Sequence, residues 1–253
     1  MGSENQTAEI MIAEARKAFW VMVGFLALIW VLQILNAITA YSLSQSFGIV
    51  ARDPARLPDI VTAPFLHWSW AHIEGNSGPL FVFGFLAAYR GVVKFLGVTA
   101  LIAVASGLGV WFVAGPNSVT AGASGVVFGY FGYILVRGLF DRHRIDIVVG
   151  LVMGLCFAYQ FTGLLPTDEF SWQGHLFGFA GGILGGWLFR DRRPRAASAL
   201  PGAGAAAARP LGSATAPGLG RPVPGMPGAS RPAPTSTDPS RAALMKELDD
   251  LGL

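Results

Sequence analysis

A chain of 253 residues that is 53% hydrophobic and only 13% charged, with a mean hydropathy of +0.51, is not composed like a soluble domain, in which charged residues supply about 25%. It reads as an all-α polytopic membrane protein embedded in a lipid bilayer. The net charge of +3 is small, so no nucleic-acid partner is expected. The single cysteine, Cys156, excludes an intramolecular disulfide and any multi-cysteine metal site; neither a metal nor a cofactor is expected.

Taken in chain order, a short segment, 1–17, precedes the first apolar span, about 18–41. That span is too long for a signal peptide and has no small-residue cleavage site after it, so it reads as a retained anchor. Further spans follow at about 73–89, 95–114, 121–136, 145–165 and 172–189, six in all, making a membrane domain over 18–190. Spans two, four and six are short and glycine-rich, below the roughly 20 residues that cross a bilayer comfortably. Such spans belong inside a bundle, lining a site, rather than facing lipid. Pro79 is expected to bend the start of span two. From 191 the chain becomes a tail, Ala/Gly/Pro-rich from 196, expected to be disordered. Asp238-Pro239 could start a short terminal helix with an apolar stripe of Leu244, Leu248 and Leu251.

Basic residues alternate between connections. Arg16 and Lys17 precede span one, Arg90 and Lys94 separate spans two and three, Arg137, Arg142 and Arg144 separate four and five, and Arg190, Arg192, Arg193 and Arg195 follow span six. The opposite connections hold only Arg52 and Arg56, and 167–169 is acidic. The positive-inside rule then puts both termini in the cytoplasm, in a protein expected in the plasma membrane.

That topology places four polar groups at one depth near the outer surface. Ser124, in Gly122-Ala123-Ser124-Gly125, opens span four; His175, in Gly174-His175-Leu176-Phe177-Gly178, lies about one turn into span six; His72 and Asn76 stand at the start of span two. Ionisable groups at membrane depth mark function, because desolvating them costs free energy. A hydroxyl and an imidazole are the minimal pair for nucleophilic catalysis. Gly125 and Gly129 form one GxxxG face, Gly178 and Gly182 another. Such faces let backbones pack closely, close enough for a Ser124–His175 hydrogen bond of roughly 2.6–3.2 Å. His143, in a basic connection, needs only a solvated role.

Three blocks now resemble one family, the rhomboid intramembrane serine proteases, over about 66–189. His67-Trp68-Ser69-Trp70-Ala71-His72-Ile73-Glu74-Gly75-Asn76, with Leu80 and Phe83-Gly84, is similar to the family's second-helix HxxxN block. Gly122-Ala123-Ser124-Gly125 is similar to its GxSG nucleophile block, and His175 with Gly178 and Gly182 to its HxxGxxxG. The resemblance implies a six-transmembrane-helix bundle with Ser124 as nucleophile and His175 as general base, then acid. Asn76, His72 and the Ser124 backbone N–H would hold the oxyanion, and His67 would support the first loop. Preorganised oxyanion donors are each worth roughly 3–4 kcal/mol in comparable sites. The substrates implied are transmembrane proteins, cut near the outer face after local unwinding, with a gate near span five and 165–171.

Two departures stand out. Phe128 occupies the position, four after the serine, where the family often stacks a tyrosine on the histidine, and the family's first-loop Trp-Arg pair is missing between 42 and 66. Glu169 and Glu74 read as loop or interface carboxylates rather than acid catalysts. The rival readings are a catalytically inactive rhomboid-like binder of transmembrane helices, a channel or transporter, and a membrane anchor for a functional tail. The sequence does not specify an oligomeric state.

Overall fold

The computed structural model describes residues 2–167 and 170–191. The acidic pair 168–169, the tail from 192 and its terminal leucine stripe lie outside the described residues. Among the described residues eight α-helices carry the fold: α1 (Gly2–Ile38), α2 (Ser42–Phe47), α3 (Asp59–Thr62), α4 (Trp70–Ala88), α5 (Val92–Val113), α6 (Ser124–Asp141), α7 (Arg144–Cys156) and α8 (Trp172–Leu188). Two short strands, β1 (Ile49–Val50) and β2 (Val119–Thr120), pair antiparallel with Ile49 opposite Thr120.

The six expected spans correspond in position to α1, α4, α5, α6, α7 with its continuation, and α8. By length and composition alone, two helical stretches among the described residues are long and apolar enough to cross a membrane, Ala8–Ile38 and Val92–Val113. A third qualifies if Arg144–Cys156 and Ala158–Leu164 count as one span, but these two are bent by 71°. The fifth span is therefore broken at Phe157, where the sequence suggested one continuous run; the second arm is a 3-10 helix. Pro79 sits inside α4, which continues through it.

α6 is the centre of the bundle. Val126, Val127, Tyr130, Phe131 and Ile134 are all buried, against Phe83 of α4, Ile102 of α5 and Met22 of α1. Glycine decides how closely α8 approaches. A Cβ on Gly178 would strike the backbone oxygen of Gly125, and one on Gly182 the backbone oxygen of Gly129. Both GxxxG faces thus meet backbone to backbone, the close packing that small residues permit between apolar helices.

At the far end of α6, Arg137 is not the loop residue the hydropathy implied. The helix runs on to Asp141 and Arg137 is buried, donating to Leu86 O at 2.7 Å and pairing with Asp146 at 3.1 Å. Asp146 also takes Arg90 at 2.6 Å and faces His143 Nδ1 at 3.2 Å, while Lys94 pairs with Asp191 at 2.6 Å. A buried charge persists only when paired; here the pairing fastens the ends of α4, α5, α6, α7 and α8 together.

The segment between α1 and α4 is organised by Arg56. It pairs with Asp59 and donates to Gly48 O at 3.1 Å and to Ser46 O. One guanidinium with donors in a fixed fork can satisfy several carbonyls at once, and this order arises without a Trp-Arg pair.

Candidate active site

Serine caps set the starts of two helices that carry histidines. Ser69 Oγ accepts the His72 N–H at 3.1 Å, and Ser171 Oγ accepts the Gly174 N–H at 3.4 Å. Each satisfies an orphan donor of a first helical turn, which leaves His72 and His175 about one turn in. Ser124 opens α6 itself. As the first residue of the helix it has no intrahelical acceptor for its backbone N–H.

The crossing of α6 and α8 sets Gly125, the residue after Ser124, against the backbone of Gly174 and Gly178, which flank His175 in α8. Phe128, one turn below Ser124 on the same face, stacks on the His175 ring with centroids 4.1 Å apart and planes 8° from parallel. Phe170 lies near the ring as well, at 5.8 Å. His175 is 6% exposed, and its Nδ1 lies 2.9 Å from Gly163 O. A carbonyl oxygen can only accept, so Nδ1 carries the proton and Nε2 keeps a lone pair. Among the described residues this is the one hydrogen bond of the His175 ring; the expected 2.6–3.2 Å contact to Ser124 is not closed in this structure. Catalytic hydrogen bonds are often long in the free enzyme and tighten in the substrate complex.

His72 lies against the serine loop. A Cβ on Gly122 would be 2.7 Å from its Cε1 and 2.8 Å from its Nε2. Gly122 also has φ +153°, so both its conformation and its space call for glycine. Asn76 follows His72 by one turn; it is 8% exposed and its Nδ2 has no partner among the described residues. A cavity of about 730 Å³ opens over Ser124 and is lined by His72, Gly122, Trp68 and Gln173. Glu74 is exposed, and Glu169 lies outside the described residues.

His67 does more than support a loop. Its Nε2 accepts the Ala123 N–H at 3.3 Å, one residue before Ser124, and its ring meets His72 edge to face at 5.1 Å. Its carbonyl takes Asn36 Nδ2 at 2.8 Å and Ser44 Oγ at 3.1 Å. Burial, with the His72 ring beside it, pushes the His67 pKa down to about 3, so the ring stays neutral and Nε2 stays an acceptor. Gly122 N–H donates to Ala63 O at 3.0 Å, and β2 adds a further tie through β1. The loop before the serine is thus held by backbone on one side and an imidazole on the other.

Three contributors were not singled out in the sequence. Asn36 has a signal, a polar residue within an apolar span. Ser44 has only a weak one. Gly163 has none, because it acts through its carbonyl.

Residues 54–192 match the family described as the rhomboid domain. The chain belongs to the rhomboid family. An uncharacterized protein of Mycobacterium tuberculosis is 34% identical to this rhomboid over 205 residues, 76% of this chain and 85% of its own length. An uncharacterized protein of Mycobacterium leprae is 33% identical, over 72% of this chain and 78% of its own. The rhomboid protease GlpG of Haemophilus influenzae is 29% identical over 53% of this chain and 70% of its own. This rhomboid is accordingly an integral membrane protein of the intramembrane protease family.

Proposed function

We propose that this rhomboid is a serine endopeptidase that cuts transmembrane protein substrates within the membrane, using Ser124 and His175. The observation that carries the reading is the His175 ring. It is stacked on Phe128, one turn after Ser124 in α6, and donates from Nδ1 to Gly163 O, which leaves Nε2 as an acceptor. A serine is a weak nucleophile until a base takes its proton, and a pre-set tautomer supplies that base.

Ser124 Oγ attacks the scissile carbonyl carbon as His175 Nε2 takes the hydroxyl proton. The tetrahedral oxyanion receives hydrogen bonds from the Ser124 N–H, Asn76 Nδ2 and His72. The Asn76 amide suits this role because it has no other partner among the described residues. Collapse breaks the C–N bond and His175 returns the proton to the departing amine. Water, deprotonated by His175, then hydrolyses the acyl-enzyme and regenerates Ser124. No carboxylate is needed to orient the imidazole, since the Gly163 carbonyl does so.

The substrate helix must unwind near the serine, because a helical peptide bond is shielded by its own hydrogen bonding. The bend at Phe157 and the 3-10 arm Ala158–Leu164 support a gate there, since that arm carries Gly163 and its Phe161 packs on Phe131 at 5.3 Å. Alternation of Lys and Arg supports cytoplasmic termini and an outward-facing site.

The open Ser124–His175 contact favours one second reading, a catalytically inactive binder of transmembrane helices. Labelling with a serine-directed fluorophosphonate separates the two. Labelling of the wild type, lost in Ser124→Ala and reduced in His175→Ala, is expected, together with cleavage of a test transmembrane substrate. Labelling that persists in Ser124→Ala removes the nucleophile assignment. Absence of both labelling and cleavage in the wild type moves the reading to the inactive binder.

A further inference from the structure

α1 presents a buried stripe to the bundle at Ala18, Met22, Ile29, Gln33 and Asn36, each with no exposed surface. Four of these have an account. Ala18, Met22 and Ile29 pack in the core, and Asn36 holds His67 O. Gln33 has none. Both its Oε1 and its Nε2 are buried, and neither has a hydrogen-bond partner among the described residues. A buried polar group left unpaired costs about 1–3 kcal/mol, which calls for an explanation.

Its position comes from the register of α1 against α4. Met22 packs over Gly84, Trp30 Nε1 donates to Ser77 Oγ at 3.0 Å, and Asn36 Nδ2 donates to His67 O at 2.8 Å. The numbers fall on one helix as they rise on the other, so the two helices run antiparallel. Gln33 then lies level with Ile73, one turn below Asn36 on the same face. His67 supplies the complementary group. Its Nε2 is an acceptor for Ala123, so its proton sits on Nδ1, and that Nδ1–H is also buried with no partner among the described residues. A glutamine amide and an imidazole N–H together offer three N–H donors and one acceptor oxygen. Buried water typically makes two to four such bonds.

We infer that Gln33 and the His67 Nδ1–H bind a buried water behind the serine loop, and that Gln33 is thereby a positioning residue for it. The water completes a chain from α1 through the imidazole to the Ala123 N–H, and so braces the residue before Ser124. The binding of water does not depend on the hydrolytic reading; only its kinetic consequence rests on that reading.

Radiolytic hydroxyl-radical labelling of the full chain in detergent tests this, in the Ser124→Ala background so that catalysis is not involved. His67 and Met22 are equally buried, and methionine is the more reactive side chain, but only His67 would have a water beside it. The expected result is oxidation of His67 several-fold faster than Met22, falling to the Met22 rate in Gln33→Met. His67 labelling no faster than Met22, or unchanged by Gln33→Met, overturns the site. With Ser124 restored, Gln33→Met is expected to lower kcat roughly tenfold with KM little changed, as loss of positioning does. A higher Tm with unaltered kcat means that Gln33 was only an unpaired amide, and overturns the positioning role.

Discussion

Gly122→Ala is the sharpest test of how the serine loop is held. The added Cβ would lie 2.7 Å from His72 Cε1, against about 3.4 Å for ordinary contact, so the loop and the imidazole must separate by about 0.7 Å. A displacement of that order at a reacting group costs up to about a hundredfold in rate. The substitution also meets a second cost, because φ at Gly122 is +153°. Strained backbone of this kind costs about 1–3 kcal/mol. Gly91 allows the two costs to be separated. Its φ is +110° and a Cβ there meets nothing within 4 Å. Both variants are expected to lose thermal stability, by about 2–4 °C per kcal/mol. Only Gly122→Ala is expected to lose kcat, by roughly 10- to 100-fold, on a purified transmembrane substrate in detergent. A Gly122→Ala protein with wild-type kcat, or a Gly91→Ala protein equally impaired, refutes the claim that the His72–Gly122 contact sets the site.

Other expectations follow from single contacts. Asn76→Ala should lower kcat by about 10²–10³, the usual cost of one oxyanion donor, with KM nearly unchanged; a drop confined to KM would make Asn76 a binding residue instead. His67, with its folded pKa depressed to about 3 from 6.5, contributes stability that is complete above pH 6.5 and is lost as pH falls towards 3. By pH 5 about 2 kcal/mol of it should be gone, seen as a steeper fall in Tm than in His67→Gln; parallel curves would refute the neutral buried imidazole. Asp146→Ala removes the partner of buried Arg137 and of Arg90 and should destabilise by about 3–5 kcal/mol, measured by thermal unfolding. Phe128→Tyr should be nearly silent in kcat, whereas Phe128→Ala, which removes the ring stacked on His175, should lower it about tenfold, given the roughly 0.5–1.5 kcal/mol that ring pairs contribute.

Much of the candidate site was legible before any fold was known, because its residues break the apolar pattern. Ser124, His175, His72 and Asn76 are polar at the starts of apolar runs, and the desolvation cost makes such exceptions conspicuous. The glycines of α6 and α8 likewise announce close approach, because a missing side chain at every fourth position has few other uses in a membrane helix.

Tertiary structure alone decided four things. The break at Phe157 is invisible to hydropathy, since both arms are apolar and only their direction changes. The orientation of the His175 imidazole depends on the Gly163 carbonyl, and a backbone acceptor leaves no mark on the identity of its residue. The burial of Arg137 follows from α6 running past its apolar stretch into the reach of Asp146, so a charge counted as a surface marker became an internal tie. His67 reaches Ala123 across 56 residues of chain. Composition and periodicity report which groups must be buried or spared from lipid; they do not say which distant partner satisfies them, because that depends on where the helices cross.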